Sequence, residues 1–436
     1  MASSTAPDHT IVILGAGYAG VPMAHHLLKR TPANVANIRV ILVAPNDAQF
    51  WNTAAPRGIL PSDDAKSGAS PKGTPGFGDS QLFYELAPAF AKYNVGGAKR
   101  FEQLVGRATS LDPDRQTVDV KLLAGGAVET VRYDTVLIAT GSDMANGSPF
   151  KIVSHGGTAE TKAALAAIRA RVAAASTIVV AGGGLTGVEV AGELGSKKDI
   201  VFIINEPLPL GVYGTRESVR QTAANRLTAL GVRIITNTTV TASTPLGPDM
   251  AGNKTLLTLV DKDGKTSTLE TDAYIPALGS TFNTGFLPER LLDTSAKGRR
   301  RVRTRPTLQA EGYDNIFVVG DVVNLIGPSL KNVTEQLEVL AANMQAYLKN
   351  WKNWAAAKSS SSSSPSSSSA TTPLKPYPVS DMLVLATSTG PAGGTGQMGS
   401  MKLPSFMVWY FKARYLGTDI AQAYVNGNRT AQNSKW

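Results

Sequence analysis

Six glycines in two groups give this 436-residue chain its first chemical signal. Gly15, Gly17 and Gly20 form G-x-G-x-x-G between an apolar strand and a helix, and Gly182, Gly184 and Gly187 repeat the pattern in the same context. In such a turn the first glycine allows the tight bend and the second lets a pyrophosphate approach the backbone. The third lets helix and strand pack closely, with the helix N-terminus facing the anion. One nucleotide needs one such turn, so two turns imply two nucleotides, held so that something passes between them.

Carboxylates follow. "NIFVVGDVVN" places Gly320 and Asp321 at the end of a buried strand. A carboxylate emerging there can bond the ribityl chain of a flavin, or simply close a strand-end turn. Together with "LIATGS" (Leu137–Ser142) the flavin reading is favoured. The following helix, from about Thr334, would direct its positive end at the flavin pyrimidine. "GVEVAGELG" puts Glu189 and Glu193 at i and i+4 on one helix face. A solvated face is the other reading, the favoured one for Glu193. At the end of the second strand of the first unit, Ala44 stands where a ribose-binding acid is expected, with Asn46 or Asp47 as substitutes. In the second unit Asn205 or Glu206 can take the ribose hydroxyl. No arginine stands beside them in the sequence, so NADH is preferred over NADPH. Tyr18 and Trp51 can pack on a flavin ring, Trp51 equally as a core residue. Four histidines, two of them adjacent (His25, His26), and no thiol make no metal-ligand cluster.

Composition narrows the field. The apolar fraction is 42% and the charged fraction 17%, ordinary for a globular protein. No apolar run approaches the ~18–20 residues that span a bilayer. The first residues lack the pattern of a signal or transit peptide, and Ala2 excludes the N-myristoylation pattern. There are 0 cysteines, which excludes disulfides, thiolate metal sites and mechanisms through a cysteine pair. The net charge of +10 suits nucleic acid, a membrane surface or an anionic ligand. An excess of exposed Lys and Arg is the favoured explanation. The run Arg299, Arg300, Arg301, Arg303, Arg305 alternates as an exposed strand would.

These groups need a scaffold. "TIVILG", "NIRVILVAP" and "NIFVVG" are continuous apolar runs, as in parallel strands covered on both faces. Pro22 suits a first helical turn. Residues 62–80 read as a loop, and "SQLFYELAPAFAKY" as a helix. "AGGA" and "KDGK" read as hairpin turns, and Gly231 as a helix C′ residue. The implied class is α/β: two Rossmann-like dinucleotide-binding domains with a small C-terminal domain. The expected boundaries are 1–155 and 283–357 for the two parts of the first domain and 156–282 for the second. A serine-rich disordered linker over 358–375 and a C-terminal domain over 376–436 complete the chain. The helix "SFMVWYFKARYLG" in the last domain reads either as an interfacial membrane helix or as a core helix.

The order G-x-G-x-x-G, "LIATG", "GGGxxGxExAxE", "IPALG", then "L-Q" before "NIFVVGD" resembles the two-dinucleotide flavoprotein disulfide-reductase superfamily over residues 10–350. Within it the chain looks most like the apoptosis-inducing-factor-like, mitochondrion-associated group, the ferroptosis suppressor proteins, and next like type II NADH dehydrogenases. Phe50, Asn52 and Arg57 in "FWNTAAPRG" and the segment "GTGQMG" share in the likeness. The resemblance implies FAD at Gly15, Gly17, Tyr18, Ala19 and Gly20, with Arg57, Ala108, Thr140, Gly141, Gly320 and Asp321. It implies NADH or NADPH at Gly182, Gly184, Leu185, Thr186 and Gly187, with Asn205, Glu206 and Gly279. It implies catalytic roles for Glu189, near nicotinamide and flavin, and for Lys331, at the start of the flavin-facing helix, with an exposed loop lysine the equal alternative for Lys331. The implied partner is a quinone or other small electron acceptor. Without cysteines, electrons must leave the flavin directly. An FAD-dependent NAD(P)H:quinone oxidoreductase is the leading reading. A redox-sensing or nucleic-acid-binding flavoprotein in cell-death signalling and a ferredoxin-type reductase are the alternatives, nucleic acid being the disfavoured partner. The expected location is cytoplasmic; peripheral attachment to a lipid droplet or the mitochondrial outer membrane stays open, as do monomer and homodimer.

Overall fold

In a computed structural model the protein is described over residues 7–32, 35–62, 76–97, 99–153, 155–211, 214–246, 254–296, 298–359, 373–380 and 382–429. Most of the serine tract and the N-terminal residues through Ala6 lie outside these. Side chains beyond Lys352 in the long Leu330–Ser359 helix are likewise not described.

His9–Leu14 runs through the middle of a seven-stranded sheet, between Ile38–Ala44 and Thr135–Ile138. Its apolar residues from Ile11 to Leu14 are buried, which is why the run reads without alternation. Ile316–Val318, far along the chain, pairs in parallel with Thr135–Ile138. This long-range pairing carries Asp321 to the same sheet edge as Gly15. Phe101–Asp112 continues into the hairpin Thr117–Leu122/Val128–Arg132. Its turn holds Gly125 at φ 74 and Gly126 at φ 67, the left-handed conformation this kind of turn requires.

A second, four-stranded parallel sheet has the order Arg233–Ile235, Asp199–Ile203, Thr177–Ala181, Ala273–Pro276. A three-stranded antiparallel layer covers it, with Leu257 and Leu259 buried against Val179, Ala181, Val201 and Ile203. Ser142–Met144 and Ser280–Phe282, the crossing segments between the two units, pair antiparallel. The C-terminal segment adds the hairpin Val384–Ser388/Gly394–Met398, the helix Ser405–Val408 continued by a π-turn over Trp409–Ala413, and the helix Thr418–Val425.

Two local expectations are corrected. The helix expected over "SQLFYELAPAFAKY" is broken into Asp79–Leu82, the strand Phe83–Glu85 and Leu86–Phe90. Phe83–Glu85 pairs with Ala48–Phe50, Phe83 stacks on Phe50 with centroids 4.8 Å apart, and Pro88 is confined to the first turn of the new helix. The arginine run is not one exposed strand. Only Arg301–Val302 is strand, and Arg299 and Arg300 take φ of 52° and 60°. Arg301 is buried and donates to the carbonyls of Val323 and Ile326, while Arg300 pairs with Glu289 and Arg305 with Asp314.

Candidate active site

Both glycine turns open into one cleft of about 2110 Å³, well beyond the ~300–1,000 Å³ that a single small ligand occupies. The turns are built alike. Gly15 has φ 112° and Gly182 φ 116°. A Cβ at Gly15 would lie 2.3 Å from the Ala139 carbonyl oxygen, and one at Gly182 would lie 2.3 Å from that of Ala277. A Cβ at Gly20 would lie 1.8 Å from the Gly15 oxygen, and one at Gly187 would lie 1.9 Å from the Gly182 oxygen. The third glycines therefore serve helix–strand packing, and neither lines the cleft. The second ones do: Gly17 and Gly184 face it, and a Cβ at Gly17 would meet nothing within 4 Å. That open face before a helix N-terminus is where a phosphate fits.

The remaining residues divide between the cleft and elsewhere. Tyr18, Ala19, Ala108, Thr140 and Gly141 line the first turn's side, and Leu185, Thr186, Asn205 and Gly279 the second's. Asn46 also lines the cleft; its amide donates to the carbonyls of Ala16 and Ala48. Trp51 lines the cleft as well, but it is 1% exposed and donates to the Leu416 carbonyl, so most of it packs in the core. Burial pushes the Tyr18 phenol well above its usual range, so it stays protonated.

Gly320 and Asp321 lie together at the cleft. The Asp321 carboxylate accepts from Ser142 Oγ at 2.6 Å and pairs with Lys151 Nζ at 3.1 Å; Lys151 also bonds the Ser142 hydroxyl. The helix beyond begins at Leu330, earlier than Thr334, and the Ser329 hydroxyl accepts from the Asn332 N–H as an N-cap does. Lys331 lines the cleft and pairs with Glu335 at 2.9 Å.

The two glutamates are not on a solvated face. Glu189 is 6% and Glu193 1% exposed. Each takes a cation from a different segment. Glu189 lines the cleft and pairs with Lys412 Nζ at 2.7 Å; Lys412 also donates to the Ala386 carbonyl. Glu193 lies one turn on and binds Arg57 through both oxygens, at 2.9 and 2.8 Å. Arg57 does not itself line the cleft, whereas Asn52, Thr53 and Pro56 of the same segment do. Glu206 also misses the cleft: its carboxylate holds Arg220 at 2.9 Å. That arginine is the neighbour the linear sequence did not place there. Lys412, Lys151 and Arg220 are the residues that sequence reasoning missed. No motif marks them; Lys412 sat in plain view in the aromatic stretch, but its partner is far away in sequence. Among the described residues no His, Cys, Asp or Glu cluster could hold a metal.

Two nucleotide turns sharing one cleft place the fold, and comparison with known proteins agrees. The sequence model for "Pyridine nucleotide-disulphide oxidoreductase" matches residues 9–352. The chain belongs to that family. It is 34% identical over 403 residues to Oxidoreductase ptaL of Pestalotiopsis fici, covering 91% of this chain and 94% of that one. To Ferroptosis suppressor protein 1 of Taeniopygia guttata it is 26% identical over 324 residues, 73% of this chain and 75% of that one. The sulfide:quinone oxidoreductase of Aquifex aeolicus shares its fold, with TM-score 0.63 at 16% identity over 96% of this chain and 92% of that one. The chain is thus an oxidoreductase of that family, and its sequence carries no cysteine pair of the kind the family's name refers to.

Proposed function

We propose that the protein is an FAD-dependent NADH:quinone oxidoreductase. The observation that carries the proposal is the third wall of the cleft. Beyond the two nucleotide turns it is apolar, built from Met382, Leu383, Val384, Leu385 and Phe411, with the Lys412–Glu189 pair set into it. Phe411 is 75% exposed, its ring lies against that of Tyr410, and Phe406, Tyr410 and Met401 in the same C-terminal segment are exposed as well. A lipophilic acceptor suits that wall, and a membrane surface suits its rim.

FAD, bound at the first turn, supplies a two-electron carrier between nicotinamide and acceptor. Gly15 and Gly17 would hold its pyrophosphate, and the Asp321–Ser142–Lys151 group its ribityl hydroxyls. The N-terminus of the Leu330–Ser359 helix favours negative charge beside it. Gly182 and Gly184 would hold the pyrophosphate of the pyridine nucleotide. Arg220 is occupied by Glu206 and by the carbonyls of Leu208 and Pro209, so it is not offered to a 2′-phosphate; this supports NADH. Reduction of a quinone to the quinol takes two electrons and two protons: NADH brings both electrons and one proton, and Lys412, held by Glu189 and the Ala386 carbonyl, would give the second proton to an acceptor oxygen. The amine left on Lys412 then takes a proton from solvent, which its partly exposed side chain can reach. Positioning of the two nucleotides in one cleft provides the rest of the rate.

The visible spectrum tests this. Purified protein should show flavin absorbance that bleaches with NADH and recovers when a short-chain ubiquinone analogue is added. Absorbance that NADH leaves unchanged removes the donor. Recovery only with an iron–sulfur protein replaces the quinone by a ferredoxin-type acceptor.

A further inference from the structure

We infer that Arg57 is a positioning residue for Lys412. It ties the helix that carries Glu189 to the turn that carries Lys412, so that the two meet at the cleft. The effect on turnover rests on the acceptor role proposed above for Lys412; the positioning itself does not.

The π-turn Trp409–Ala413 ends in carbonyls that a helix leaves without backbone partners. After it the chain reverses through Leu416 at φ 50° and Gly417 at φ 78°. The segment Trp51–Arg57 supplies the missing donors from a distant part of the sequence. Arg57 Nη2 donates to the Ala413 carbonyl at 2.7 Å and Nη1 to that of Arg414 at 3.0 Å. Trp51 Nε1 and the Thr53 hydroxyl both donate to the Leu416 carbonyl at 3.1 Å. The same guanidinium grips Glu193 bidentately. Glu193 lies four residues, one helical turn, after Glu189, and Ala413 directly follows Lys412. One planar group therefore fixes the neighbours of both members of the Lys412–Glu189 pair.

The support beneath Arg57 is firm. Arg169 donates to the carbonyls of Gly58 and Phe77 and pairs with Asp79. On the other side, the helix of Glu189 meets the C-terminal hairpin closely: a Cβ at Gly192 would lie 2.5 Å from the Gly390 nitrogen. Lysine cannot replace this arginine in kind. A point-like ammonium cannot span two carboxylate oxygens and two carbonyls at once.

The test uses the full chain loaded with FAD. Single loss of Arg57 would strand a buried carboxylate and can unfold the protein, so the informative variant is Arg57→Met with Glu193→Met, which removes both charges. Arg57→Lys is its companion, keeping the charge without the fork. Expected in the double variant are amide exchange over residues 409–416 faster by about tenfold or more and faster acetylation of Lys412 by an N-hydroxysuccinimide ester, read by mass spectrometry. Arg57→Lys should be intermediate. Turnover of the quinone analogue should fall in kcat by about tenfold or more, with NADH reduction of the flavin unchanged. Adding Lys412→Met to the double variant should cost nothing beyond Lys412→Met alone, because both act through one group. Unchanged exchange and unchanged Lys412 labelling in both variants overturn the inference, as do losses that add. A wild-type protein that cannot reduce the quinone removes the acceptor role instead, and leaves the exchange and labelling readouts to decide the positioning.

Discussion

Ser142 and Lys151 both reach the same oxygen of Asp321, and that convergence gives the carboxylate its meaning at the cleft. A strand-end aspartate that only closed a turn would bond nearby backbone; this one gathers a hydroxyl and an ammonium from another segment. Asp321→Ala removes the acceptor and leaves Lys151 without its carboxylate. Each stranded polar group costs about 1–3 kcal/mol. The expected product is folded protein depleted in flavin, measured as the ratio of visible to ultraviolet absorbance. Full flavin occupancy would take Asp321 out of the site. Glu189 and Glu193 teach a related lesson. Their spacing put them on one face of a helix, but spacing does not say what covers that face. Only the fold brings Lys412 and Arg57 to them.

At the scale of elements, the two strand–turn–helix units are geometric copies with different surroundings. The first glycines share a left-handed φ and the third ones press on the carbonyl of the first. This equivalence makes their functions separable by one substitution each. Gly184→Val places a branched side chain at the second turn's phosphate face, and Gly17→Val does so at the first. The Gly184 variant should purify yellow yet fail to bleach with NADH. The Gly17 variant should purify pale, because the open face beside that glycine is filled. Losing several charge-assisted hydrogen bonds, each about 1.5–3 kcal/mol, should weaken binding by orders of magnitude. Flavin lost from the Gly184 variant and kept in the Gly17 variant would exchange the two sites.

For the whole molecule, three buried imidazoles and one apolar rim make predictions of different kinds. Burial lowers His9 to about 4, His25 to about 3 and His26 to about 4, from 6.5. The unfolded chain takes up protons that the folded one refuses once pH falls below 6.5. Stability is therefore intact above that value and declines toward pH 4, by about 1.4 kcal/mol per imidazole per pH unit. Denaturant midpoints at pH 7 and pH 5 should differ in that direction; equal midpoints would mean that these imidazoles are not held neutral. The rim is tested with lipid. Phe406→Ser with Phe411→Ser removes two of the most exposed apolar side chains. It should lower co-sedimentation with vesicles of phosphatidylcholine and phosphatidylserine while leaving the flavin spectrum unchanged. Equal sedimentation of variant and parent would free the rim from a membrane role.

By itself the sequence determined the local geometry: which runs are buried parallel strands, where the glycine turns must bend, that Gly231 ends a helix, and that no thiol takes part. These follow from periodicity and from conformations only glycine adopts easily, properties that act over a few residues. The resemblance of the motif order reached further, to the family, because glycines and the strand-end aspartate stand in a fixed sequence. The tertiary structure alone decided the ion pairs. Arg57 to Glu193, Lys412 to Glu189 and Lys151 to Asp321 join segments between 136 and 223 residues apart. Charge has no period along a chain, and a buried cation is chosen by whichever carboxylate the packing leaves beside it. For the same reason Arg57, which the likeness of motifs set among the cofactor residues, meets Glu193 in the fold, and Glu206 meets an arginine that nothing nearby announced.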